Sequence, residues 1–345
     1  MSELPEAPFK NPRADHGFKG RTCSIESVGS YVPEKVLTNA DLEKIVDTTD
    51  EWITSRTGIK ERRIAADDEA TSDLGAKASL MAMERAGISP DEIDLVICAT
   101  ITPDMPFPST ACLIQEKIGA HGAAAFDLEA ACSGFIYGIE IAQQFIMSRT
   151  YNCVLVVGAE KLSSIIDWKD RNTCVLFGDG AGAVIMRNRD GAHGLLTAKM
   201  GADGRKANIL SMPGGGSLNP ASTDSINSRL HYLRMDGKEV YKNAVTAMCR
   251  SAKEVLKRCE LSAEDIKLVI PHQANKRIID AVGDRLGAKP EQVYMNLQKY
   301  GNTSAASVAI ALDEAVSEGH IQRGDLILMM VFGAGLTWGA AVIEW

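Results

Sequence analysis

Cys132 lies in the stretch Phe126-Asp-Leu-Glu-Ala-Ala-Cys-Ser-Gly-Phe135. This pattern predicts a strand, a sharp turn of small residues, and a helix running on to Ile146. A helix start aims unpaired N–H groups and the positive end of its dipole at what precedes it. A thiol held there is expected to have a lowered pKa, and the thiolate is the nucleophilic form. A solitary cysteine is more often buried and inert. That plainer role suits Cys23, Cys98, Cys112, Cys153, Cys174, Cys249 and Cys259. Ala130, Ala131, Ser133 and Gly134 set Cys132 apart, because small residues let a ligand or another backbone come close.

Two further polar residues stand where a partner would be needed. Leu268-Val-Ile-Pro-His272 ends a predicted buried strand in a histidine, and open α/β sheets place ligands at such strand ends. Taken alone, a histidine there is more often a satisfied structural residue. Of the six histidines, His272 is the one directly at such an end. Asn302 lies in Tyr300-Gly-Asn-Thr-Ser-Ala-Ala-Ser307. It could equally cap the next helix, and both roles are compatible because Thr303 or Ser304 can cap. Phe332-Gly333-Ala334-Gly335 ends a strand in glycines, whose backbone N–H groups could join that of Cys132 in an oxyanion hole. Gly178-Asp-Gly-Ala-Gly-Ala183 fits a variant dinucleotide fingerprint, but Val184-Ile-Met reads as strand where a helix should follow. These are turn glycines.

The elements that must position these residues repeat. Ile88-Ser-Pro-Asp-Glu-Ile-Asp-Leu-Val-Ile97 resembles Leu261-Ser-Ala-Glu-Asp-Ile-Lys-Leu-Val-Ile270, at an offset of 173 residues. A helical stretch precedes each copy, Asp73–Ala86 and Val240–Arg258. An apolar strand follows each, Cys153–Gly158 and Leu326–Phe332. Val175-Leu-Phe and Ala183–Met186 close the first half, and Thr337–Glu344 closes the second. The alternation predicts an α/β fold of two similar halves, with sheets buried on both faces. Asn302 follows Cys132 by 170 residues. It thus falls in the second half's counterpart of the nucleophile turn, and a pseudo-twofold axis would bring the two face to face. The turn-rich span Arg187–Asp236 is expected to be connection and surface insertions. The expected divisions are a loose arm over 1–21, an N-terminal half over 22–193 and a C-terminal half over 194–345.

The 345 residues carry 37 basic and 45 acidic side chains, a net charge of −8, which argues against a general nucleic-acid binder. With 45% apolar and 24% charged residues, the chain reads as globular. The longest apolar run, Leu326–Leu336, is too short to span a membrane, and the proline-rich start does not read as a signal peptide. The cysteines form no Cys-x-x-Cys pair, which suggests reduced thiols in a cytoplasm and no metal site.

From about Thr22 to Trp345 the chain resembles the 3-oxoacyl-[acyl-carrier-protein] synthase III family of condensing enzymes. The matching stretches are Asp50-Glu-Trp-Ile-Thr-Ser-Arg-Thr-Gly-Ile59, Ala130-Ala-Cys-Ser-Gly-Phe135, Phe177-Gly-Asp-Gly-Ala-Gly182, Pro271-His-Gln-Ala-Asn275 and Gly301-Asn-Thr-Ser-Ala-Ala-Ser307. The resemblance implies a thiolase-like fold in αβαβα layers and a Cys132–His272–Asn302 triad. Asn302 separates it from thiolases and elongating synthases, which carry a second Cys or His there. It implies a coenzyme A site of Thr48, Trp52, Arg56, Arg171 and Asn275, with Trp52 and Arg171 on either side of the adenine. Lys238 stands where the family pattern has Asn, and Asn172 where many relatives carry Gly. The implied reaction joins an acyl-CoA primer, acetyl-CoA by expectation, to malonyl-acyl-carrier protein. It yields 3-oxoacyl-carrier protein, CoA and carbon dioxide, and starts fatty acid synthesis. The alternative is another thiolase-fold condensing enzyme or acyltransferase, head-to-head or polyketide-type. No cofactor is expected beyond the thioester substrate. A homodimer is implied, with Phe107 at the floor of the partner's acyl pocket or else packed under its own loop. The acidic carrier protein is expected to dock on Lys242, Gln273, Ala274, Asn275, Lys276, Arg277 and Arg285.

Overall fold

The computed structural model describes residues 21–190 and 194–345. The arm expected over residues 1–21 lies outside the described residues up to position 20. In chain order the strands are β1 (Arg21–Tyr31), β2 (Lys35–Thr38), β3 (Glu61–Ile64), β4 (Leu95–Ala99), β5 (Ala124–Leu128), β6 (Cys153–Glu160), β7 (Gly180–Asp190), β8 (Leu195–Ala202), β9 (Leu210–Ser211), β10 (Arg234–Met235), β11 (Leu268–Pro271), β12 (Leu326–Gly333) and β13 (Thr337–Glu344).

Two mixed sheets carry the fold. The first has the order β1-β7-β6-β4-β5 and the second β11-β12-β13-β8. In each, a parallel pair (β4 with β6, β11 with β12) continues into antiparallel neighbours. Alternate residues of every central strand face opposite layers, as the pleat requires. Leu95 and Ile97 of β4 and Ile327, Met329 and Val331 of β12 point into one shared core. Val96 and Cys98 face the helix Thr71–Ala86, while Leu328 and Met330 face the helix Gly237–Arg258. Because both faces are covered, these strands read as unbroken apolar runs.

The shared core is filled by two buried helices, Gly134–Met147 and Ser307–Ser317. Together with the outer helices they give five layers, αβαβα. Phe135, Ile136 and Ile139 have no exposed surface, and each contributes about 1.5–3 kcal/mol by burial. Gly138 lets the first of these helices lie close on its sheet, since a Cβ there would stand 2.7 Å from Val156 Cγ1. The outer helix Thr71–Ala86 starts where the Asp73 carboxylate accepts from the N–H of Ala70, and it stops at Gly87 with φ +66°.

The repeat offset of 173 holds through the structure, from Leu95 to Leu268, from Cys153 to Leu326 and from Gly134 to Ser307. Two departures from the sequence reading stand out. The span expected to be connection and insertions still contains the end of β7 and the whole of β8, the edge strand of the second sheet. Val175–Phe177 is not a regular strand. Cys174 ends a short helix, and Phe177 makes a single bridge to Asn302. No helix among the described residues is long and apolar enough to cross a membrane.

Candidate active site

The nucleophile turn follows β5. Ala131–Ser133 forms one tight turn, with Ala131 at φ +46°, and the helix Gly134–Met147 starts directly after it. Ser304–Ala306 repeats this turn in the second half, with Ser304 at φ +49°. The offset of 173 therefore pairs Cys132 with Ala305, not with Asn302. Asn302 stands one turn earlier, opposite Glu129. The two turns pack on each other, so the pseudo-twofold axis still brings Asn302 to the nucleophile.

Each turn is clasped by a strand of the opposite half. A Cβ at Gly333 on β12 would lie 2.7 Å from the Cys132 backbone nitrogen, and one at Gly158 on β6 would lie 2.5 Å from the Ala305 carbonyl oxygen. Glycine is required at both places by this close approach. The Thr337 hydroxyl stands between the carbonyls of Ala130 (2.8 Å) and Ala334 (2.9 Å) with one proton for the two, tying the turn to the loop beyond β12.

Cys132, His272 and Asn302 line one cavity of about 1450 Å³, with exposures of 6%, 5% and 7%. His272 extends β11, and its N–H donates to Met330 O at 2.8 Å. Its Nδ1 lies 2.6 Å from Ser307 Oγ. Burial lowers its pKa to about 4, so the ring is neutral at physiological pH. Asn302 is held through its backbone by Leu176 O and Gly178 N–H. The loop carrying Leu176 is anchored in turn by fully buried Arg62, whose Nη2 donates to Val175 O at 2.7 Å. Asn302 Oδ1 accepts from Ser304 N–H at 2.8 Å, which leaves the Nδ2 donors for a ligand.

The lowered thiol pKa expected for Cys132 is not what the structure shows. Burial pushes it up to about 12, against the Ser304 hydroxyl, which lowers it, while the charge of Glu160 raises it further. Desolvation outweighs the helix start because the whole turn is enclosed. Of the three oxyanion glycine-loop residues, Ala334 and Gly335 line the cavity, whereas Gly333 is turned onto the Cys132 backbone.

The nucleotide-side residues form a second group. Trp52 is flanked by the Arg171 guanidinium at 5.3 Å and that of Arg56 at 5.9 Å from the ring centroid. Arg171 Nη1 donates to Asp47 O at 2.8 Å. Arg56 and Asn275 line the cavity. Asn275 Nδ2 donates to Arg56 O at 3.2 Å, and its Oδ1 caps the helix Lys276–Leu286. Thr48 Oγ1 is buried without a partner. Lys238 also lines the cavity.

Of the expected carrier-docking residues, Lys242, Lys276, Arg277 and Arg285 are exposed. Lys276 is paired with Asp280 at 2.7 Å. Gln273 does not belong with them. It is 1% exposed, and its amide is spent on Pro271 O, Tyr294 O and Asn296 N–H. Ala274 is half-buried and faces the cavity. Phe107 is 84% exposed, so it does not pack under its own loop, and its neighbours Met105 and Pro106 are the ones that line this chain's cavity. Sequence reasoning offers Ser304 only as a helix cap and passes over Ser307 and Glu160, because nothing in their spacing says that they are buried near the triad.

The profile described as 3-oxoacyl-[acyl-carrier-protein] synthase III matches residues 126–204, which include Cys132. The profile of that family's C-terminal part matches residues 256–345, which include His272 and Asn302. Beta-ketoacyl-[acyl-carrier-protein] synthase III of Caldanaerobacter subterraneus is 58% identical, over 94% of this chain and 98% of its own length. The protein of the same name from Natranaerobius thermophilus is 52% identical, over 94% and 99%. The crystal structure of 3-oxoacyl-[acyl-carrier-protein] synthase III from Aquifex aeolicus superposes with a TM-score of 0.87 at 50% identity, covering 94% of this chain and all of that one. With its thiolase-like layers, its cavity-lining Cys, His and Asn, and these relatives, the chain belongs to the 3-oxoacyl-[acyl-carrier-protein] synthase III family.

Proposed function

We propose that this chain condenses an acyl-CoA primer with malonyl-acyl-carrier protein, releasing CoA and carbon dioxide and starting fatty acid synthesis. The observation that carries the reading is the cavity on which Cys132, a neutral His272 and the free amide of Asn302 converge. Cys132 sulfur attacks the primer thioester and CoA leaves, giving an acyl-enzyme in a ping-pong sequence. Malonyl-carrier protein then enters. We take the Ser307 hydroxyl as the donor to Nδ1, which puts the His272 proton on Nε2. That proton and the Asn302 Nδ2 group meet the thioester oxygen, where negative charge builds as carbon dioxide departs. The resulting carbanion attacks acyl-Cys132. The Cys132 N–H and the Ala334–Gly335 backbone receive the oxyanion of that step. Loss of carbon dioxide drives bond formation, and the coenzyme A thioester is substrate, so the sequence calls on no further cofactor.

The test is a panel of acyl-CoA primers with malonyl-carrier protein, following product mass. Each accepted primer should appear in a 3-oxoacyl-carrier protein two carbons longer, only when malonyl-carrier protein is present. Product that forms from acyl-CoA alone would move the protein to the head-to-head condensers.

We place the coenzyme A nucleotide on Trp52 and Arg171, with Thr48, Arg56 and Asn275 along its path; the guanidinium beside the Trp52 ring supports the choice. Two expectations concern partners. An acidic carrier protein approaching a chain of net charge −8 needs a local basic patch, and Arg277 at the cavity rim is exposed for that purpose. Such charges act on encounter rate and salt sensitivity. Arg277→Glu should therefore weaken use of malonyl-carrier protein several-fold at low salt while leaving acetyl-CoA loading of Cys132 intact. Equal loss in both half-reactions would refute the patch.

The other partner is a second copy of the chain, in a cytoplasmic homodimer with an isologous interface. A phenylalanine 84% exposed beside the cavity rim supports it. In a dimer this ring would fill the floor of the neighbouring acyl pocket and restrict primer length. Phe107→Ala should raise activity with four- to eight-carbon primers relative to acetyl, with a discrimination change of roughly 1–3 kcal/mol. Light scattering should give a dimer. A stable active monomer, or an unchanged primer profile, would sink this assignment.

A further inference from the structure

Arg62 lies on β3 with no exposed surface. Its guanidinium meets three acceptors. Nη2 donates to Val175 O at 2.7 Å, and Nη1 donates to Asn39 Oδ1 at 2.8 Å and to Leu37 O at 3.2 Å. All three are neutral oxygens, and the Nε–H has no partner. Burial lowers its pKa to about 10, which leaves it charged at neutral pH. A buried cation that faces only neutral acceptors is costly, and an apolar side chain of similar length would fill the space more cheaply. What only arginine supplies here is a planar fork that reaches two segments at once.

One of those segments holds Asn302. Residues 175–178 are neither helix nor regular strand, yet they make both backbone hydrogen bonds of Asn302. Asn302 N–H donates to Leu176 O at 2.8 Å, and Gly178 N–H donates to Asn302 O at 3.0 Å. The first carbonyl of this stretch is the one that Arg62 holds, and Val175 O has no other donor among the described residues. The Arg62 stem packs where the two segments cross. A Cβ at Gly178 would stand 2.4 Å from Tyr300 O and 3.0 Å from Arg62 Cβ. One at Gly301 would stand 2.8 Å from Leu176 O and 3.4 Å from Arg62 Cβ. Arg62 therefore bears on Asn302 twice, with its head at Val175 and its stem at Gly301.

The other segment is reached through Asn39, which is 2% exposed. Its Nδ2 lies 2.7 Å from Asp50 Oδ1, 2.9 Å from Ile59 O and 3.3 Å from Thr54 Oγ1. Asp50 and Thr54 belong to the helix Asp50–Thr57, which carries Trp52 and Arg56. These bonds do not pass through Arg62, so this helix keeps its anchor when the guanidinium is removed. The Asn302 side has no such substitute.

We propose that Arg62 is a positioning residue for the second half-reaction: it fixes residues 175–178 and, through them, aims the Asn302 amide at the malonyl thioester oxygen. The proposal rests on the reading of Asn302 as a donor to that oxygen. A preorganised donor works only where it is held in place, and a shift of about 1 Å is enough to cost on the order of 10²-fold in rate. Cys132 and the Trp52 helix are held by other contacts, so formation of the acyl-enzyme does not depend on Arg62.

Arg62→Met keeps a stem and removes the fork. The full chain is acetylated at Cys132 with acetyl-CoA and then mixed with malonyl-carrier protein in a single turnover. Rates are expressed per acetylated Cys132, so the folded fraction cancels. The maximal rate of carbon dioxide release should fall by on the order of 10- to 10²-fold in Arg62→Met. The acetylation rate at saturating acetyl-CoA and the half-saturating concentration of malonyl-carrier protein should stay at their wild-type values. A double-mutant cycle separates positioning from general support of the fold. In an Asn302→Ala background Arg62→Met should add almost nothing, because the donor it would misplace is gone. The same factor lost again on top of Asn302→Ala would overturn the proposal. So would equal loss in acetylation and decarboxylation, or carbon dioxide release at the wild-type rate. Should Arg62→Met fail to fold, Arg62→Lys carries the same cycle. Its single ammonium keeps the charge but reaches one segment, so it should lose a smaller, several-fold factor that also vanishes in the Asn302→Ala background, and a wild-type rate refutes the proposal here too. Asn302→Ala alone tests the reading beneath. Decarboxylation at the wild-type rate there would sink that reading and this proposal together, whereas an impaired Asn302→Ala beside unimpaired Arg62 variants would sink this proposal alone.

Discussion

Cys132→Ser should gain no acetyl group when incubated with acetyl-CoA, and condensation should fall by on the order of 10⁴-fold or more, as when a nucleophile is removed. A serine hydroxyl at this point is a far weaker nucleophile than a thiol, and burial that already holds the thiol near 12 would hold the hydroxyl protonated throughout. The fold should tolerate the change, because the side chains are nearly equal in size. Intact-mass analysis checks it directly. Acetylation of Cys132→Ser at the normal rate would remove Cys132 from its role and, with it, the ping-pong sequence.

His272→Ala and Asn302→Ala should divide the reaction. Each should reduce decarboxylation of malonyl-carrier protein by about 10²–10³-fold, the usual cost of one oxyanion donor, while acyl transfer to Cys132 continues at a measurable rate. Carbon dioxide release read beside acetyl-enzyme formation separates the two steps. Equal loss in both would mean that the donors serve the first substrate as well. His272 also leaves a mark on stability. Its folded-state pKa, about 4, lies below the ordinary 6.5. The stability it contributes is therefore present above pH 6.5 and is lost as pH falls through 4, amounting to about 3 kcal/mol. His272→Ala should show a shallower loss of stability in that acid window than the wild type, measured by denaturant unfolding at stepped pH.

Much of this site is legible in the amino-acid sequence. β4 spans Leu95–Ala99 and β13 spans Thr337–Glu344, as their patterns predict, because strands buried on both faces are apolar through their middle. The helix after Cys132 and the strand before His272 are visible for the same reason. β8 is not. Its Leu195-Leu-Thr-Ala-Lys-Met-Gly-Ala202 sequence carries a lysine and a glycine and is half-buried along an edge, so its alternation is faint. The helix start predicts the wrong sign for the Cys132 pKa shift, since local sequence does not show how much water the opposite half excludes. Gln273 resembles a rim residue because it adjoins His272, yet its amide is spent on three backbone groups. Glu160 sits at the end of an apolar run, where a carboxylate ordinarily reaches solvent. Its hydrogen bonds come from the loop Thr100–Thr102, more than fifty residues earlier.

The glycine clasps have a bearing on how harm and tolerance are distributed along this chain. Gly158 does not line the cavity. The space a Cβ would take there belongs to the turn of the other half, and the carbonyl it makes room for is that of Ala305, next to Ser304 and three positions from Asn302. Gly333 stands in the same relation to Cys132. A methyl group at either place must be absorbed by displacing a backbone that carries the reacting groups. A screen that ranks positions by distance from the substrate would file Gly158 with the structural background. A screen by function would find it among the residues whose smallest change is felt in turnover before it is felt in yield of folded protein.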